Sequence, residues 1–300
     1  MTYRLSDTDI RLLHVYRTVV ECRGFSNAQA ILNVGQPTIS NQIGQLEKRL
    51  GFRLCERGRS GFRLTEEGRR VYDETLKLLS AHEEFRNATS ELRGQLAGFL
   101  RIGLIDNVVT DPACPIVPAL RAFNARDHEV VIKLEILAPA DMERQLLDGS
   151  LDLAIGTFNH RLPGLSYRHL YDETSLLLCG RTHPLFGQTS RANIKRMVPD
   201  ARKVARGYLD GADLLSLGSS GRYPSAFVHN MEAMAILILG GGHIGFLPDH
   251  YARTWIKAKG MKAIAPSDYI HKSEFSIVTR ANRRISRILE TFLEVLGAST

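Results

Sequence analysis

Apolar residues recur at helical spacing through the first third of the chain. Over residues 6–21, Leu12, Leu13, Val15, Tyr16, Val19 and Val20 make one stripe, which breaks at Arg23-Gly24. A short, small-sided helix follows (Ala28, Ala30, Ile31, Leu32), and Ser26 with Gln29 has the spacing of a capping box at its start. Asn33-Val34-Gly35 reads as a turn, with Gly35 free to take a backbone geometry other residues resist. The next helix, GQPTISNQIGQLEKRLG at 35–51, turns Ile39, Ile43, Leu46 and Leu50 inward. Its other face carries Thr38, Ser40, Asn41, Gln42 and Gln45, all uncharged, and Pro37 sits in its first turn, where a missing N–H is harmless. Over 52–65 the period changes to alternation on both sides of Gly58-Arg59-Ser60-Gly61, the pattern of a hairpin bearing Arg57, Arg59 and Arg63.

Thr65 then caps a long helix whose first turn holds Glu66 and Glu67. Val71, Leu78, Phe85 and Leu92 repeat every seven residues, with Thr75, His82 and Thr89 between them, over a length of about 42 Å. Such a stripe predicts a dimer seam, or else a helix lying on its own domain. Beyond Arg93-Gly94-Gln95 the pattern alternates between strand and helix. Residues 99–105, 130–137 and 151–158 are strand-like, and 115–124 and 140–147 are helical, which predicts an α/β domain with largely parallel strands. Further strands are expected at 176–178, 203–209, 226–229, 244–247 and 275–279, and a closing amphipathic helix at 285–296.

Chemistry is sparse in this second part. Gly240, Gly242 and Gly245 satisfy G-x-G-x-x-G, but they close a helical run and lead into a strand, the reverse of a dinucleotide loop. There is no Walker loop, no His-Glu-x-x-His and no Gly-x-Ser-x-Gly, and the ten histidines are dispersed. No catalytic residue, metal ligand or cofactor is therefore expected, and an α/β enzyme is the weakest reading. Cys22, Cys55, Cys114 and Cys179 are scattered without ligand spacing, which fits reduced structural thiols, with a redox-sensing pair as the alternative. The start lacks the apolar segment of a signal peptide, and the longest apolar run, 233–239, is too short for a bilayer. A cytoplasmic protein without a membrane partner is expected.

Charge then locates the function. Of the net +7, residues 1–65 hold +5, from ten Arg or Lys against five Asp or Glu. Short helix, turn and second helix describe a helix-turn-helix, whose second helix lies in the major groove with its first residues on base edges. Gln and Asn bond adenine in bidentate fashion, and Ser or Thr bond several bases, so an uncharged hydrogen-bonding face suits direct readout. The basic hairpin is a wing able to reach phosphates or a narrow minor groove. Candidate DNA contacts over 25–44 and the wing are Ser26, Gln36, Pro37, Thr38, Ser40, Asn41, Gln42, Arg57 and Arg59. A helical bundle with an incidental hairpin is the bland alternative. A second is an intracellular solute-binding receptor whose N-terminus contacts proteins.

The block FSNAQAILNVGQPTISNQIGQLEKRLGFRLCERGRSGFRLTEEG resembles the DNA-binding domain of LysR-type transcriptional regulators. The match runs through Phe25, Ser26, Leu32, Val34, Gln36, Pro37, Ser40, Ile43, Leu46, Glu47, Leu50, Gly51, Leu54, Arg57, Leu64, Thr65 and Gly68. It departs at Gln29 (usually Ala), Gly35 (usually a capping Ser) and Cys55 (usually Phe). LRIG, GSLDLAIG and GGGHIGFLP resemble landmarks of the family's effector domain. The resemblance implies a multidomain α+β and α/β fold: a winged helix-turn-helix at 1–65, a linker dimerisation helix at 66–94 and an effector-binding domain at 95–300. That domain would be of periplasmic-binding-protein type, with subdomains 97–160 plus 267–300 and 161–266, crossing near 158–162 and 265–268. It implies double-stranded DNA with a two-fold site as partner, a homodimer or homotetramer, RNA polymerase as a possible contact and a small-molecule effector between the subdomains. In the family a hydroxyl residue four positions after the Gly of the first strand often meets the effector's acidic group. Here that position is Asn107, beside Asp106, which repels a carboxylate unless it points away. Thr157, Phe158, Arg206 and Phe246 complete the candidate effector residues by placement.

Overall fold

A computed structural model of the chain describes residues 5–58, 61–92, 96–207, 224–281 and 285–297. Contacts divide the chain into two units, Met1–Gly98 with Asp148–Ser150, and Phe99–Leu147 with Leu151–Thr300.

The first unit orders α1 (Asp7–Glu21), α2 (Phe25–Leu32), α3 (Gln36–Leu50), β1 (Cys55–Gly58), β2 (Gly61–Leu64) and α4 (Glu66–Leu92). The stripes pack as their spacing requires: Tyr16, Val19, Ala28, Ile39, Ile43, Leu46 and Leu54 are fully buried in one core. Each large aliphatic there contributes about 1.5–3 kcal/mol of burial. The capping box lies elsewhere than expected. Ser6 and Asp9 form it at the start of α1, whereas α2 is capped by Gly24 and Ser26 already lies inside its first turn. Gly35 is also not the special residue of the turn. Asn33 takes the left-handed conformation at φ 52°, which Asn tolerates, and Gly35 is extended at φ −66°. The Gln36 N–H at the helix start donates to Gln29 Oε1 at 3.0 Å.

β1 and β2 pair antiparallel from Cys55↔Leu64 to Gly58↔Gly61, and Glu47 Oε1 anchors the hairpin to α3 by accepting the Leu54 N–H at 2.8 Å. Thr65 caps α4 through the Gly68 N–H at 2.9 Å. Gly68 admits no side chain, since a Cβ would lie 1.9 Å from the Leu54 carbonyl oxygen, and its own carbonyl accepts the Tyr16 hydroxyl at 2.7 Å. The single seven-residue stripe expected on α4 is split in the structure. Val71 and Leu78 lean on the helix-turn-helix core, Leu76 and Leu79 are buried off the stripe, and Phe85 is 69% exposed. Leu92 keeps its place in the helix, with its side chain outside the described residues.

The second unit holds a seven-stranded sheet in the order β10-β6-β11-β5-β3-β4, with β9 on the other edge of β6. The strands are β3 (Ala97–Leu104), β4 (Glu129–Ile136), β5 (Leu153–Thr157), β6 (Leu165–Gly180), β9 (Ile244–Pro248), β10 (Met261–Ala263) and β11 (Ile270–Arg280). β7 (Val204–Arg206) and β8 (Ala226–Val228) pair parallel beside it and reach β9 through a Lys203↔Ile244 bridge. Helices α5 (Ile116–Asn124), α6 (Pro139–Asp148), α7 (Arg191–Met197), α8 (Met231–Leu239), α9 (Asp249–Lys257) and α10 (Arg287–Val295) complete it. Phe123 of α5 and Phe292 of α10 meet edge-on at 5.5 Å in the core. The glycine run after α8 ends the helix at Gly240 and leads into β9, as its order implied.

Two expectations change. β3 and β5 are parallel, but the sheet is not largely parallel: β11 runs antiparallel to β6 over its full length, from Leu165 to Leu176 of β6, and is antiparallel to β5. Nor is β6 a three-residue strand; it spans Leu165–Gly180. β6 and β11 therefore run through the middle of the sheet as a bonded pair. Their register slips between Phe275 and Ser276, leaving Leu170 unpaired. This slip lies inside the strands, away from the crossovers expected at 158–162 and 265–268. The end of the strand expected over 203–209 lies outside the described residues. Among the described residues, no helix is long and apolar enough to cross a membrane.

Candidate functional site

Pro37 starts α3, and the apolar stripe of this helix fixes which face is left outside. On that outer face Gln36, Pro37, Thr38, Asn41 and Gln45 are exposed, while Ser40 and Gln42 are half-buried. Ser26, exposed on α2, donates its hydroxyl to Gln36 Oε1 at 3.2 Å, which orients the amide at the helix start. The basic end of α3 is partly committed to the fold: Arg49 grips the fully buried Asp9 at 2.5 and 2.7 Å. Charge free to meet phosphate therefore comes from Lys48, exposed on α3, and from Arg63, exposed on β2. Arg59 and the side chain of Arg57 lie outside the described residues. This surface pairs a neutral hydrogen-bonding helix start with a cationic rim, as base readout beside phosphate contact requires.

In the second unit, all six candidate effector residues line one cavity of about 260 Å³. Asp106 and Asn107 follow β3, Thr157 ends β5, Arg206 ends β7, and Phe158 follows Thr157. Strand ends in an α/β sheet are where ligands bind. Asn107 sits at φ 77° and caps a 3-10 turn, Val108–Thr110, so its backbone is held in a conformation that favours Asn and Gly. Phe158 packs edge-on against Tyr167 at 5.7 Å, and Phe246 of β9 against His271 at 6.3 Å.

Asp106 points away from open solution and into an ionic latch. Its Oδ1 accepts Arg206 Nη2 at 2.5 Å, and its Oδ2 accepts the Met231 N–H at the start of α8, also at 2.5 Å. Arg206, 6% exposed, also donates to the His229 carbonyl at 3.0 Å. The guanidinium and helix terminus together are a ready receptor for a carboxylate, and the chain's own Asp106 fills it. Glu173, Lys203 and His271 line the same cavity and are absent from the sequence-based candidates. Burial raises the Glu173 carboxyl above the usual range and lowers Lys203 and His271 below theirs. All four cysteines are free. Burial pushes the Cys114 thiol up and the Cys179 thiol up to about 11, the opposite of the lowered values of reactive thiols.

Comparison with known proteins agrees with this geometry. Residues 10–69 match the model of the bacterial regulatory helix-turn-helix proteins of the lysR family, and residues 93–300 match the LysR substrate binding domain. The HTH-type transcriptional activator BauR of Pseudomonas aeruginosa is 40% identical over 296 residues, covering 99% of this chain and 97% of that protein. The fold resembles full-length CbnR complexed with its target DNA, with a TM-score of 0.66 at 22% identity, covering 97% of this chain and 99% of that one. A full-length OxyR variant from Pseudomonas aeruginosa gives 0.61 at 19% identity, covering 100% of this chain and 97% of that one. Two domain matches in the family's order and an end-to-end relative at that identity lead to one conclusion: the chain belongs to the LysR family of DNA-binding transcriptional regulators.

Proposed function

We propose that a small molecule held in the cavity beside the Asp106–Arg206 latch modulates how paired copies of this regulator engage a two-fold-related promoter site. The observation that carries this reading is the cavity itself, about 260 Å³ at the strand ends, lined by charged and aromatic side chains. A ligand there shifts the balance of states only by its differential affinity for them, typically about 1–3 kcal/mol of coupling. Phe85, 69% exposed on α4, supports pairing through that helix. The effector is bound and released unchanged, RNA polymerase is a further partner, and the activator named among the relatives favours activation as the output. Titrating the full chain with its own upstream DNA, across salt and with and without candidate metabolites, tests this. Specific binding that a metabolite strengthens or moves, without turnover of the metabolite, is expected. Binding no tighter than to competitor DNA would leave a solute receptor acting through proteins.

A further inference from the structure

Three ionisable side chains from distant segments converge beside the cavity. Asp111 follows the 3-10 turn, Glu173 lies midway along β6, and His250 is in the first turn of α9. Their side chains are 6%, 8% and 6% exposed. His250 Nε2 stands 3.0 Å from Glu173 Oε1 and 3.5 Å from Asp111 Oδ2, and the three ligand atoms all fall within 4.8 Å of one another. Ligands held about 2.0–2.2 Å from a metal ion stand roughly 3–3.5 Å apart, and the two separations from His250 Nε2 fall in that range. The other ring nitrogen, Nδ1, lies 2.8 Å from Thr110 Oγ1. An outer partner of this kind is what orients a metal-binding imidazole.

A second feature points the same way. The Tyr171 hydroxyl is buried beside the Cys114 thiol and within the field of both carboxylates. Among the described residues it has no nitrogen or oxygen to bond. Two carboxylates are buried here beside a single imidazole, and a bound cation would offset their desolvation.

We propose that Asp111, Glu173 and His250 bind one divalent transition-metal ion of the zinc type, joining the segment after β3, the crossing strand β6 and the start of α9. One imidazole with two carboxylates suits such an ion better than magnesium, which prefers oxygen ligands throughout. Three protein ligands leave a fourth position for water. Of the three only Glu173 also lines the cavity, so the site borders the proposed effector pocket and shares that residue with it.

The test uses the full chain, stripped with a chelator and then titrated with zinc by calorimetry and by competition against a chromogenic chelator, with magnesium as control. One zinc per chain is expected, with no comparable magnesium binding. His250→Gln and Asp111→Asn should each weaken zinc at least tenfold, with unchanged circular dichroism in chelator. If those variants fail to fold, Thr110→Val, which keeps all three ligands, should still weaken it by about tenfold. No zinc bound by the folded parent, or parental affinity in the folded variants, would overturn the site. DNA binding is read separately, so failure here leaves the proposed function intact.

Discussion

Replacing Asp106 with Ala removes two bonds at once. The Arg206 guanidinium, 6% exposed, would lose its counter-charge, and the Met231 N–H at the start of α8 would lose its acceptor. Removing one member of a buried pair costs about 3–5 kcal/mol. Asp106 is itself 18% exposed, so the lower end, about 3 kcal/mol, is expected. Asp106→Asn keeps an oxygen for the Met231 N–H and loses the charge, a smaller deficit of about 1.5–3 kcal/mol. Pairing Asp106→Leu with Arg206→Met removes both charges and should recover part of the loss, with the Met231 N–H still lacking its acceptor. Urea unfolding followed by the fluorescence of Trp255, the only tryptophan, reports on this domain because Trp255 packs against the core around Leu178 and Met261. A parental midpoint in Asp106→Ala, or a double variant weaker than either single one, would refute the latch as a stabilising pair.

Other outcomes follow from the same structure. Gln36→Ala should lose about 1–3 kcal/mol at one base pair, read by fluorescence anisotropy on single-base variants of the site; an equal loss on every sequence would move the reading face elsewhere. Arg63→Ala should weaken all sequences alike and reduce the log–log salt slope by about 1. Gly68→Ala places a methyl 1.9 Å from the Leu54 carbonyl, so the hairpin must move, at about 1–3 kcal/mol, and melting temperature and DNA affinity should fall together. Burial holds His183, His243 and His271 below their ordinary 6.5. The unfolded chain therefore takes up protons that the folded chain refuses, and their contribution is intact above 6.5 and lost as pH falls through it. Unfolding free energies at pH 7.5 and 5.5 should differ less in His271→Asn than in the parent; an unchanged difference contradicts the assignment.

The helix-turn-helix was legible because its signals are local: Ile39, Ile43 and Leu46 announced a face and are fully buried on it. Its two misread details, the cap at Ser26 and the freedom of Gly35, come from boundaries set by Gly24 and Asn33, residues just outside the apolar spacing that was read. The first half of β6 was missed because Arg168, His169, Asp172 and Glu173 interrupt its apolar pattern, and Glu173 and Ser175 are among its buried residues. For the same reason Glu173 escaped notice as a cavity residue. The six cleft candidates converge because they sit at or near strand ends, and strand ends follow from the apolar pattern. Asp111, Glu173 and His250 have no such signature, since only the folded chain brings them within bonding distance.

The crossing pair β6 and β11 sets how the sheet can deform. Two independent single-chain connections would act as loose hinges. Here the connections are laced edge to edge from Leu165↔Arg280 to Leu176↔Ile270, which makes them a two-ply leaf spring. Such a ribbon is stiff against bending within its own plane and yields to torsion, most of all where a bulge strengthens the local twist. Torsion applied to this ribbon is therefore taken up near Leu170 and Phe275, where the register slips.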